Sequence, residues 1–165
     1  MTVLLDRLQA THPLTIPARV VTHTNTNDAD APDWCDTEAP PIGWFHVDEP
    51  NVLHIHMGRL GTFRRDICMP SAAACRVTHY VTVHEYGHAL EAERARRFDG
   101  GFVEQRARLH ARRLDGMSNC GRRNASEGFA EAFTEYFLNP STDNVAARCY
   151  ADAFGWELSN TRFGA

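Results

Sequence analysis

No uncharged run in this 165-residue chain reaches the roughly 18 residues that a membrane-spanning helix needs, so no membrane partner is expected. No CxxC pair occurs, and the spacing of Cys35, Cys68, Cys75, Cys120 and Cys149 matches no zinc finger or ribbon. Five is an odd number, which excludes a fully paired disulfide framework within one chain. GxGxxG and glycine-rich phosphate loops are also missing, which argues against a dinucleotide-binding crossover fold. No internal repeat is present. The first ten residues carry Asp6 and Arg7 and lack the basic-then-apolar order of a signal peptide. A cytoplasmic location with free thiols is therefore the expectation, with delivery by another route left open. Cys68 and Cys75 are close enough in sequence to pair under oxidising conditions.

Lysine is absent altogether, and all 17 basic residues are arginine. Coding bias accounts for that as readily as physics does. The net charge of −4 argues against a protein that coats nucleic acid. The charge is uneven: residues 94–165 hold most of the arginines, concentrated between Arg94 and Arg123. These read as a solvated helix face; the sharper alternative is a surface for an acidic partner. What is present is globular composition, 43% apolar and 23% charged, in a length that suits one domain over residues 1–165.

Residues 2–10 read as a short helix with Val3, Leu4, Leu5 and Leu8 near one stripe. Arg19 to His23 reads as a strand, and Asn25 to Pro41, rich in Asp, Asn and Pro, as a loop. Trp44 to Val47 and Val52 to Met57, joined by the turn Asp48-Glu49-Pro50-Asn51, read as an antiparallel hairpin. On its second strand Leu53, Ile55 and Met57 share one face, and Val52, His54 and His56 the other. Helices follow: from about Ser71 or Ala72 to Arg97, from Phe102 to Leu114, and from Ser126 to Leu138 capped by Ser126 or Asn124. A last helix, capped by Ser141 or Asp143, runs to Phe154. A strand-rich first third followed by helices is an α+β pattern.

The chemistry concentrates in VTVHEYGHAL, Val81 to Leu90, which contains His84-Glu85-Tyr86-Gly87-His88. Helical residues four apart stand about 40° apart around the axis, so His84 and His88 present two imidazoles to one metal. Glu85, about 100° round from His84, sits at the edge of that face, where it can act on a water without ligating the ion. Gly87 in the middle of a helix costs roughly 1 kcal/mol relative to alanine, which close approach of a neighbouring element would justify. Downstream, NASEGFAEAFTEYF places Glu127 and Glu131 four apart, beside a separate stripe of Phe129, Phe133 and Phe137. Two carboxylates on one side of a packed helix are costly unless they face a cation or donors. A helix pair that offers His, His and Glu meets that cost and gives a catalytic zinc its three ligands. With Glu127 as the ligand, Glu131 lies one turn on and could accept from the free ring nitrogen of His84 or His88. Glu91 and Glu135 extend the polar faces, either solvated or supporting the ligands.

HEYGHAL followed by EGFAEAF resembles the gluzincin metallopeptidases, in particular the group containing the catalytic domain of anthrax lethal factor. The resemblance implies a zincin-like fold: a small mixed sheet with an antiparallel hairpin, an active-site helix and C-terminal helices. It implies Zn2+ held by His84, His88 and Glu127, Glu85 as general base, and Glu131 supporting the ligands. It also implies hydrolysis of a peptide or protein substrate, most simply as an endopeptidase. The alternatives are another zinc hydrolase, such as an amidase, and a non-catalytic metal-stabilised binding module. The group places an oxyanion-stabilising tyrosine where this chain has Cys120. Asn119, Arg122, Arg123, His110, Tyr80, Tyr86, Tyr136 and Tyr150 are the substitutes to consider. Gly128 replaces a frequent phenylalanine, which suggests tighter packing there. The strand Val52 to Met57 is the expected edge for pairing with extended substrate. His54 and His56 either face solvent or line the cleft there.

Overall fold

The computed structural model describes residues 2–24, 42–62, 77–97, 100–112 and 114–156. The order is α1 (Thr2–Thr11), β1 (Arg19–His23), β2 (Gly43–Phe45), β3 (Val52–His56), a 3-10 turn (Met57–Thr62), α2 (Val77–Arg97), α3 (Gly101–Ala111), α4 (Ala125–Leu138) and α5 (Val145–Phe154). This is a mixed α+β fold with a small, open three-stranded sheet and several helices. The segment 25–41, residues 71–76 where the long helix is expected to begin, and Cys68 and Cys75 lie outside the described residues. None of the described helices is long and apolar enough to cross a membrane.

The sheet order is β1-β3-β2, with β1 parallel and β2 antiparallel to β3. The expected hairpin forms, with Trp44 opposite His54 and Phe45 opposite Leu53. Its first strand is shorter than expected: it ends at Phe45, and Val47 is 66% exposed in the turn. The turn is closed by Glu49 N–H to the His46 carbonyl and Val52 N–H to that of Glu49. The larger correction concerns β3. It is the central strand rather than an edge, and all five of its residues are buried. Among the described residues the edges are β1 and β2.

β3 keeps the alternation read from its residues. Leu53 joins the core beneath the sheet with Val83 and Tyr86 of α2. His54, on the other face, is not solvent-facing. Its ring stacks on Trp44 at 5.0 Å, its Nδ1 bonds His23 Nε2 at 2.9 Å, and its Nε2 reaches Glu49 at 3.4 Å. His56 is 1% exposed, so it is not a cleft-lining surface residue either. Hydropathy alone misplaces His54, because a histidine whose nitrogens find partners can be buried at low cost.

Phe129, Phe133 and Phe137 form the expected stripe on α4 and are at most 1% exposed. They pack with Leu4 and Leu8 of α1, Tyr86 of α2, Tyr150 of α5 and Trp156. Val3 falls off the α1 stripe and is 82% exposed. Tyr86 donates its hydroxyl to the His12 carbonyl at 2.6 Å, tying α1 to the back of α2. Gly87 has the expected reason: a Cβ there would stand 3.0 Å from Ala130 Cα, so α2 and α4 cross nearly backbone to backbone. That crossing brings the polar faces of the two helices together. Asn124 caps α4 by accepting from the Glu127 N–H. Asn144, rather than Ser141 or Asp143, caps α5. α3 ends at Ala111, three residues before Leu114.

Candidate metal centre

α2 and α4 bring together the three side chains that the sequence reading singled out. His84 Nε2 lies 3.2 Å from one Glu127 oxygen, and His88 Nε2 lies 3.6 Å from the other. The two imidazole rings stand 4.9 Å apart, nearly perpendicular. One donor atom from each of His84, His88 and Glu127 lies within 4.8 Å of the others. Donors about 2.0–2.1 Å from a tetrahedral zinc stand about 3.3 Å from one another, so small shifts close this set on an ion. Among the described residues no other group of three His, Cys, Asp or Glu side chains meets the same test. The His84 and His88 side chains are 15% and 14% exposed and that of Glu127 is 31% exposed, so the cluster is partly exposed rather than sealed in the core.

The charges follow from this packing. Burial pulls His84 down. The Glu127 hydrogen bond and the nearby carboxylates of Glu85, Glu127 and Glu131 outweigh it and lift the group to about 9. Burial would raise Glu127, but the His84 bond and the charges of His84, His88 and Arg123 hold it near 2. The metal-free site is thus an imidazolium–carboxylate pair, and a cation entering it displaces a proton. Burial lowers His88, with the His84 charge acting in the same direction.

Comparison with known proteins assigns no family: no family model, no curated protein and no solved structure matches this chain.

Glu85 is 5% exposed and lies against β2. A Cβ on Gly43 would fall 2.7 Å from its Oε1, so only glycine leaves the carboxylate its place. Burial raises its pKa, partly offset by the charges of His88 and His84. Glu131 does not meet either histidine. It accepts from the Ser118 N–H at 2.7 Å, from the Ser118 hydroxyl and from the Gly121 N–H at 2.9 Å, and so pins the loop before α4. Glu135 is buried and accepts from the Thr142 hydroxyl at 2.7 Å, at the α4–α5 turn. Neither it nor Glu91 is solvated: Glu91 is 6% exposed and bonded to Ser126 and Arg106.

The tyrosine substitutes separate clearly. Tyr86 is committed to α1, Tyr136 stands against Trp156 at 6.1 Å, and Tyr150 is buried among aromatic rings. Tyr80 stacks on the His84 ring at 6.1 Å, and the Arg123 charge is felt by Glu127. These two stand beside the cluster. His110 and Met117 fill the space that a side chain at position 128 would occupy, which is the tight packing expected of Gly128. The arginines between Arg94 and Arg123 are not one solvated face. Arg94 donates to the Phe154 carbonyl at 3.0 Å and Arg106 pairs with buried Glu91, whereas Arg108 is exposed beside Glu104. Sequence reasoning missed Ser126 and Ser118 as partners of the site. Their only signal was position, one residue before Glu127 and in the loop preceding α4.

Proposed function

We propose that the chain is a zinc-dependent hydrolase of peptide bonds, of the gluzincin type its motifs resemble. The observation that carries this reading is the juxtaposition of three donors with a fourth, non-ligating carboxylate. His84, His88 and Glu127 are the ligand set, and their two-nitrogen, one-oxygen chemistry suits Zn2+. A structural metal site needs no buried Glu85 beside it. The partial exposure of Glu127 would let water and a substrate carbonyl approach the ion.

Zinc held there supplies Lewis acidity, which lowers the pKa of water and polarises a carbonyl. Glu85 takes the proton as water attacks the scissile carbon and then delivers it to the leaving amine. A carboxylate raised by burial suits that double duty, because its pKa moves toward the working pH. Arg123 and Tyr80, which stand beside the cluster, would supply the donor for the developing oxyanion, the role that Cys120 cannot fill. With β3 enclosed, β2 is the edge nearest Glu85 and takes over as the strand for an extended substrate.

A second reading, a metal-stabilised binding module, draws on Cys120 at the tyrosine position. The two part on one experiment: metal analysis and a peptide-library digest of parent and Glu85→Gln side by side. The hydrolase reading expects Glu85→Gln to keep its zinc and lose about 100- to 10,000-fold in rate. Equal activity in both proteins rules out the general base, and zinc bound without turnover by the parent selects the binding module.

A further inference from the structure

The two histidines of the cluster are held very differently. His84 Nδ1 is buried with no hydrogen-bond partner among the described residues. His88 Nδ1 lies 3.0 Å from the Ser126 hydroxyl. That hydroxyl also touches Glu91, whose carboxylate lies 3.7 Å from His88 Nδ1 and is paired on its other oxygen with Arg106 of α3. Three helices therefore converge behind one imidazole, on the side away from Glu127.

The donor directions in this chain are forced. Glu91, ion-paired with Arg106, is an acceptor only, so the Ser126 O–H donates to it. The Ser126 oxygen is then left to accept, and His88 Nδ1 must carry the hydrogen. In the neutral ring that a metal ligand must be, His88 Nε2, the atom facing Glu127, then presents a lone pair. Ser126 is not needed to start its helix, because Asn124 already caps α4. Glu91 and Arg106 gain nothing as a surface pair either: their side chains are 7% and 18% exposed, where burying charge is costly unless geometry compensates.

We propose that Ser126, Glu91 and Arg106 form a positioning relay that locks the tautomer and ring orientation of His88 for metal binding, leaving His84 as the loosely held ligand. None of the three touches the ion; each acts through the next. The inference rests on the zinc reading above and adds to it the residues that set affinity from behind the ligand.

The test is zinc affinity, by chelator competition, of the full-length parent, Ser126→Ala, Ser126→Thr and Glu127→Ala, together with the thermal midpoint of each metal-free protein. Ser126→Ala is expected to bind zinc about 10- to 100-fold more weakly, the usual cost of removing a partner that orients a ligand. Its metal-free midpoint should match the parent, and Ser126→Thr, which restores the hydroxyl, should recover most of the affinity. Nitrogen-15 NMR of the zinc-loaded parent should show His88 as the Nδ1–H tautomer. Parent-like affinity in Ser126→Ala, with zinc lost in Glu127→Ala, overturns the relay and leaves the metal site standing. Parent and Glu127→Ala binding zinc alike overturns both. A Ser126→Ala protein whose affinity and midpoint fall together, unrescued by threonine, shows a packing role and also overturns the relay.

Discussion

Glu127 and Glu131 stand one helical turn apart on α4, and their surroundings give them opposite work. Glu127 is partly open to solvent, meets His84 and His88, and is held near 2. Glu131 is 2% exposed and meets Ser118 and Gly121 instead; burial raises its pKa despite those hydrogen bonds. The histidines show the same contrast. His84, buried among carboxylates, is lifted to about 9, whereas His12, buried edge-on against Phe133 and near Arg94, is lowered to about 4. Burial pushes both histidines down, and the partners decide the outcome. The difference teaches that a shared helix face places two groups but does not assign their roles; the element packed opposite does.

The sharpest way to break the carboxylate contrast is to remove each in turn. Glu127→Ala should cost more than about 100-fold in zinc affinity, since a lost ligand outweighs a lost orienting partner. Glu131→Ala should stay within about tenfold of the parent in the same competition titration. Matching losses would erase the distinction. Stability should reverse the order. Glu131→Ala strands the Ser118 and Gly121 donors and should cost about 3 kcal/mol in urea unfolding of the metal-free protein. Glu127→Ala, which removes a partly screened ion pair and strands no backbone donor, should cost less there.

The histidine contrast predicts a pH dependence. His12 has a folded pKa of about 4 against 6.5 for the unfolded chain. Between those values the unfolded chain binds the extra proton, so stability falls as pH drops from 6.5 to 4, by up to about 3 kcal/mol. His12→Phe should flatten that window in denaturant melts recorded across the range; an unchanged slope would assign it to other groups. One further variant tests the crossing that both contrasts depend on. Gly87→Ala should destabilise by about 1–3 kcal/mol, because its Cβ has no room beside Ala130. A neutral result would mean that the helices separate easily.

The candidate site was more legible than the sheet above it. Spacing of four put His84 with His88 and Glu127 with Glu131, and the phenylalanine stripe turned α4 so that Glu127 and Glu131 stood beside the apolar stripe rather than in it. Gly87 announced a close crossing before its neighbour was known. The sheet order was not legible. A strand of Val, Leu, His, Ile and His reads as half-exposed, and nothing local says that β1 will pair in parallel on its far side and make it central. The role of Glu131 was lost for a related reason: its partners sit in a loop whose path no periodicity records. The same holds for Glu91, whose partner Arg106 comes from another helix.

By itself the sequence determined which side chains share a face, because a helix repeats every 3.6 residues and a strand every two whatever surrounds them. It thereby paired His84 with His88 on one helix and Glu127 with Glu131 on another, and set Glu85 beside the first pair. Only the tertiary structure decided which strand is enclosed, which carboxylate meets the histidines and which histidine is braced from behind. Those outcomes depend on segments far apart in the chain, whose meeting is governed by burial and hydrogen-bond satisfaction rather than by any local repeat.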